Sequence, residues 1–204
     1  MTVPFIIIAA VSIISIIAFN RADIMARYQF NPWSVIHRKE YVRLISHGFL
    51  HADWMHLLIN MFVLFSFSFS VITYFNHYLS GSAEMRFIML FFSSLIVSSI
   101  YSLFKNKNNP AYNSIGASGA VSAVVFTSIF FDPYRLLYLF AIIPIPGIVF
   151  GVLYLWYSKH MAARQVDNIG HDAHFWGAVY GLIFPLLYDP SLIIDFINKL
   201  LFIG

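Results

Sequence analysis

Charge is missing from most of this chain in long blocks, and those blocks limit what it can become. Residues 1–20, 54–83, 87–104, 108–131, 136–158 and 173–188 contain no Asp, Glu, Lys or Arg. A helix crossing a hydrocarbon core of about 30 Å needs roughly 20 apolar residues, and lipid offers no partner to open backbone groups. The six blocks therefore predict helices at about 3–19, 56–77, 86–104, 117–131, 145–162 and 173–188. Together they predict an all-α membrane protein, a six-transmembrane helical bundle forming a single domain over residues 1–204. Charged residues make up 10% of the chain and hydrophobic ones 60%, with mean hydropathy +0.76. A soluble domain has about 25% charged residues, so this chain could not cover its surface in water. The lipid bilayer is its expected surrounding.

Composition removes several functions. A net charge of +3 with no dense basic stripe makes nucleic acid an unexpected partner. The absence of cysteine excludes a disulfide scaffold, a thiolate nucleophile and a thiolate metal site. The first block has no basic residues before it and no small-x-small cleavage pattern, so it reads as a span rather than a signal peptide.

Two apolar stretches do not read as spans. Leu136–Pro146 ends in Ile143-Pro144-Ile145-Pro146-Gly147, and prolines at i, i+2 oppose a continuous helix. It reads as an interfacial or re-entrant lead-in to the fifth helix. Residues 191–204 form a short apolar segment containing Asp195 and Lys199, which suits an interfacial amphipathic helix. The connection over residues 20–55 is long enough to have structure or function of its own.

Polar groups at membrane depth are costly, so each invites a functional reading. His56 and Asn60 are i, i+4 and share a helix face. They could donate to one developing anion, or they could clamp two helices together. Ser118 lies in Gly116-Ala117-Ser118-Gly119, where an apolar helix begins after a polar loop. Small neighbours and the N–H groups of a helix start suit a serine nucleophile, and they equally suit a close-packing face. Gly177 and Gly181 form a small-xxx-small stripe, and His174 lies on the same stripe. A histidine there faces another helix and could meet Ser118 as its base. His47 and His51 could share a metal on spacing alone, or could serve as a hydrogen-bonded loop scaffold.

Taken together, Arg43, His51, the His56-x-x-x-Asn60 pair, Gly116-x-Ser118-Gly119 and Ala173-His174-x-x-Gly177-x-x-x-Gly181 resemble the rhomboid family of intramembrane serine proteases. The resemblance covers about residues 40–185 and puts the motifs on the second, fourth and sixth spans in family order. It implies a serine endopeptidase with catalytic Ser118 and His174. It also implies an oxyanion hole formed by His56, Asn60 and the Ser118 N–H. Gly116, Gly119, Gly177 and Gly181 are expected to pack helices closely. Transmembrane segments of other membrane proteins are the implied substrates, with no cofactor and no metal. The expected location is a multi-pass position in a bacterial cytoplasmic (inner) membrane.

Three positions depart from the family pattern. Tyr41-Val42-Arg43 stands where many relatives have Trp-Arg, Ser122 stands where some relatives place an aromatic against the catalytic histidine, and Pro185 stands for a third glycine. None removes an atom that the chemistry needs, but with Ser122 either another group orients His174 or its orientation is looser, and Pro185 is expected to kink or end the last helix away from the dyad.

Other classes fare worse. No His-Glu-x-x-His occurs for a zinc protease, and no pair of intramembrane carboxylates for an aspartyl one. A small polytopic transporter would show repeats or paired broken helices. A catalytically inactive rhomboid-like binder usually lacks one of the two dyad residues, and both are present. Nine of the twelve basic residues lie in the loops at the Ser118 end, which by the positive-inside rule would face the cytoplasm. The family topology has the N-terminus inside and the site opening outward. We expect that topology, with the basic residues of the first loop snorkelling in the headgroups.

Overall fold

The computed structural model describes residues 1–139, 142–164 and 170–202. Helix α1 (Val3–Phe19) leads into a first loop holding α2 (Ala22–Tyr28), α3 (Pro32–His37), α4 (Arg43–Ser46) and a 3₁₀ turn at His47–Phe49. Then come α5 (Trp54–Tyr78), α6 (Ala83–Lys105), α7 (Ser118–Phe131), a hairpin of β1 (Leu136–Leu139) and β2 (Ile143–Pro146), α8 (Gly147–Arg164), α9 (His171–Ile183) and α10 (Leu192–Leu200). The chain is mostly helical. Helices α5 and α6 are long and apolar enough to cross a membrane, while α1 and α7 are apolar but shorter.

Local chemistry sets the starts of these helices. Asp53 precedes α5 and its carboxylate accepts from the His56 N–H at 2.8 Å, so the helix begins at Trp54, two residues before the expected start. Asn31 caps α3 in the same way, accepting from the Ser34 N–H at 2.7 Å, with Pro32 at the first helical position.

Helix α7 is the centre of the molecule. Every residue from Gly119 to Phe131 is buried, against α9, α6 and α5. Its 14 residues span about 21 Å, whereas the 25 of α5 span about 37 Å. Gly119 lies against Ser98 of α6, two turns before that helix ends at Lys105, so the loop that precedes Ser118 descends into the bundle. That non-helical backbone is paired rather than left open. Phe30 and Ser114 exchange backbone hydrogen bonds at 2.9 and 3.0 Å, and the Gly116 N–H donates to the His47 carbonyl at 2.9 Å.

The opposite end is tied together as well. The N-terminal ammonium pairs with Glu84 at 2.9 Å. Lys199 of α10 donates to the Tyr78 hydroxyl and the Phe131 carbonyl at 3.1 and 2.9 Å. The long first loop, the loop before α7 and the start of α9 thus gather at one end, and the N-terminus, hairpin and α10 at the other.

Two stretches of the chain are shaped by proline. Within the stretch expected as an interfacial or re-entrant lead-in, Leu136–Leu139 and Ile143–Pro146 pair as antiparallel strands. The odd-numbered residues of β2 face β1, as does Gly147, whose N–H donates to the Arg135 carbonyl at 2.9 Å. Pro144 and Pro146 therefore turn their nitrogens to the outer edge, where no donor is needed. Helix α9 ends at Ile183 and tightens into a 3₁₀ turn at Phe184–Leu187, earlier than the uncharged block predicts. Pro185 lacks the N–H that would bond the Gly181 carbonyl. The Thr127 hydroxyl of α7 donates to that carbonyl instead, at 2.8 Å.

Candidate active site

Small residues on α9 and α7 determine how the site is built. A methyl group added at Gly177 would collide with the Gly119 carbonyl oxygen, and one at Gly181 with that of Ala123. The two helices thus meet backbone to backbone over two turns. On its other side, Gly119 lies against the Ser98 side chain of α6. His174 lies one turn before Gly177, and the same contact delivers its Nε2 to 2.7 Å from the Ser118 Oγ.

His56 and Asn60 approach from α5. Gly116 takes φ +120°, and a Cβ there would meet the His56 imidazole at 2.8 Å from Cε1. Gly116 therefore does not pack helix on helix as expected. It is a loop residue whose missing side chain lets His56 come next to the serine turn. Asn60 is buried, and its Nδ2 donates to the His56 carbonyl at 2.9 Å, which fixes the amide. Ser118, His174, His56 and Asn60 all line one cavity of about 950 Å³ between α5, α7, α8 and α9, with Val125 and Phe150 at its apolar end. The structure brings all four together.

His47 and His51 turn to separate partners. His47 Nε2 lies 3.2 Å from the Ser99 hydroxyl of α6, and His51 Nδ1 lies 2.8 Å from Ser15 of α1. Burial pushes the His47 imidazole down to about 4 and that of His51 to about 3. The His47 carbonyl accepts the Gly116 N–H, and the His51 ring meets that of His56 edge-on at 4.9 Å. Arg43 is buried in the first loop and donates to the Ala26 and Gln29 carbonyls at 2.9 and 2.8 Å, while Tyr41 is exposed.

One group was not found from sequence. Tyr154 of α8 lies over His174, with ring centroids 6.3 Å apart and planes 25° from parallel. The available signal was Ser122, whose small side chain left room for a ring from elsewhere.

Fold and site define a helical integral membrane protein with a serine–histidine pair on the wall of an internal cavity. The chain belongs to the rhomboid family, and a Rhomboid domain is matched over residues 38–190. It is similar to "RHOMBOID-like protein 12, mitochondrial" of Arabidopsis thaliana, 28% identical over 69% of this chain and 44% of that protein. It is similar also to "Rhomboid protein 1, mitochondrial" of Saccharomyces cerevisiae, 26% identical over 84% of this chain and 50% of that protein. The chain thus spans about half the length of either relative. Proteins of this family are generally intramembrane serine proteases acting on membrane-protein substrates. Both relatives are mitochondrial by name, which gives no support to the expected bacterial cytoplasmic membrane.

Proposed function

We propose that this protein is an intramembrane serine endopeptidase that cleaves transmembrane segments of other membrane proteins with a Ser118–His174 dyad. The observation that carries the reading is the 2.7 Å approach of His174 Nε2 to Ser118 Oγ inside a cavity shared with His56 and Asn60. The six charge-free blocks form the six spans of a rhomboid bundle. The N-terminus lies inside, and the cavity opens on the far face.

A substrate segment reaches the cavity and places its scissile carbonyl over Ser118. The Ser118 Oγ attacks the carbonyl carbon as its proton passes to His174 Nε2. The oxyanion so formed is held by the Ser118 N–H, the His56 ring and the second amide hydrogen of Asn60. Ala117, at the N-cap position of α7, has no side-chain group to occupy those first N–H donors. Collapse breaks the C–N bond, and His174 gives the proton to the leaving amine. Water then attacks the acyl-serine through the same base.

The test is cleavage of a generic transmembrane substrate by detergent-purified protein, with labelling by a fluorophosphonate. Ser118→Ala and His174→Ala should abolish cleavage while stability stays within about 2 kcal/mol, the usual range for point changes. Near-normal turnover by either variant would remove the dyad. Full labelling of Ser118→Ala would make another residue the nucleophile.

A further inference from the structure

A general base must keep one ring nitrogen aimed at its nucleophile, and an imidazole on a helix can still turn about its outer torsion. Two aromatic groups confine that turn here. His171 meets the His174 ring edge-on, with centroids 5.8 Å apart, and Tyr154 covers its face. Tyr154 is itself held. Phe126 of α7 and Phe150 of α8 lie at 5.5 and 5.6 Å from its ring, and its hydroxyl is 2.6 Å from the Ser122 Oγ. Ser122 is buried, one helical turn after Ser118 on the same helix. The hydroxyl pair therefore references the covering ring to the helix that carries the nucleophile.

We infer that Tyr154 is the positioning residue for His174, locked by Ser122, so that the alignment of the dyad depends on the seating of α8 against α7. This rests on the protease reading above. Tyr154 touches no reacting atom and acts only through His174.

The experiment compares Tyr154→Phe, Tyr154→Leu, Ser122→Ala and the Ser122→Ala/Tyr154→Phe pair with the wild type. It measures kcat and KM on a transmembrane substrate, together with the resonance of ¹³C-labelled His174 in micelles. Tyr154→Leu should lower kcat by roughly tenfold to a hundredfold, the scale of a small misplacement of a catalytic group, with KM little changed. Tyr154→Phe keeps the ring and should recover most of that loss. Ser122→Ala should match Tyr154→Phe, and the pair should be no worse than either alone, because both remove one hydrogen bond. The His174 resonance should move in Tyr154→Leu, through loss of the ring above it. A rise in KM with kcat unchanged, or an unmoved His174 signal with normal kcat, overturns the inference while leaving the protease reading intact. If the wild type shows no Ser118-dependent cleavage, the protease reading fails, and the His174 resonance still decides whether Tyr154 positions the ring.

Discussion

At the scale of single residues, the site separates groups that react from groups that hold. Asn60 is the sharpest case, because one amide hydrogen already serves the His56 carbonyl. If the other serves the oxyanion, Asn60→Ala should lower turnover by roughly 10–10³ with little change in apparent substrate affinity. A packing role alone would give lost stability with normal activity in the folded fraction, and parallel melting and kinetic measurements separate the two. His47 makes a different prediction. Burial holds its folded-state value near 4, below the ordinary 6.5, so the native loop favours the neutral ring. The unfolded chain binds the extra proton, so stability is full above about 6.5 and falls as pH drops from there toward about 4. Melting temperatures across that window should decline in the wild type and less steeply in His47→Gln. The candidate site residues were legible in the sequence because Ser118, His174, His56 and Asn60 sit in short local motifs. Tyr154 was not, since its contacts with Ser122 and His174 depend on the register of α8, and α8 carries Phe150, Trp156 and Tyr157 as equally plausible rings.

Between elements, the α7–α9 contact has the least tolerance. Valine at Gly177 or Gly181 would push directly on the carbonyl oxygens of α7, with no flexible side chain to yield. Overpacking usually costs about 1–3 kcal/mol, and both variants should lose melting temperature and activity together, unlike Ser118→Ala. Thr127→Val tests the same seam without adding bulk. It removes the donor to the Gly181 carbonyl that Pro185 leaves unserved, and should cost about 1–3 kcal/mol by thermal or denaturant unfolding. A variant as stable as the wild type would show that this carbonyl finds another donor. The long elements could be read from charge spacing alone, because a charge-free run of that length has few uses. The hairpin could not. Prolines 144 and 146 oppose a helix without announcing an edge strand.

For the molecule as a whole, the two tied ends make sidedness testable. The chain has no cysteine, so single replacements report without background. Ser80→Cys and Asn108→Cys, both exposed and at opposite ends of α6, should react with a membrane-impermeant maleimide from opposite sides. Asn108→Cys should react on the side away from the N-terminus. Labelling of both from one side would remove the spanning arrangement, and reversal of both would favour the charge bias over the family topology. One further consequence follows from the glycine contact between α7 and α9. Side chains that fill a gap between helices act as springs, and warming loosens them by degrees. The spacing of α7 and α9 is instead gauged by main chain against main chain, a stop rather than a spring. Heating should therefore leave that spacing unchanged up to the unfolding transition, while the His174 ring, confined by side chains of α8, loosens before it.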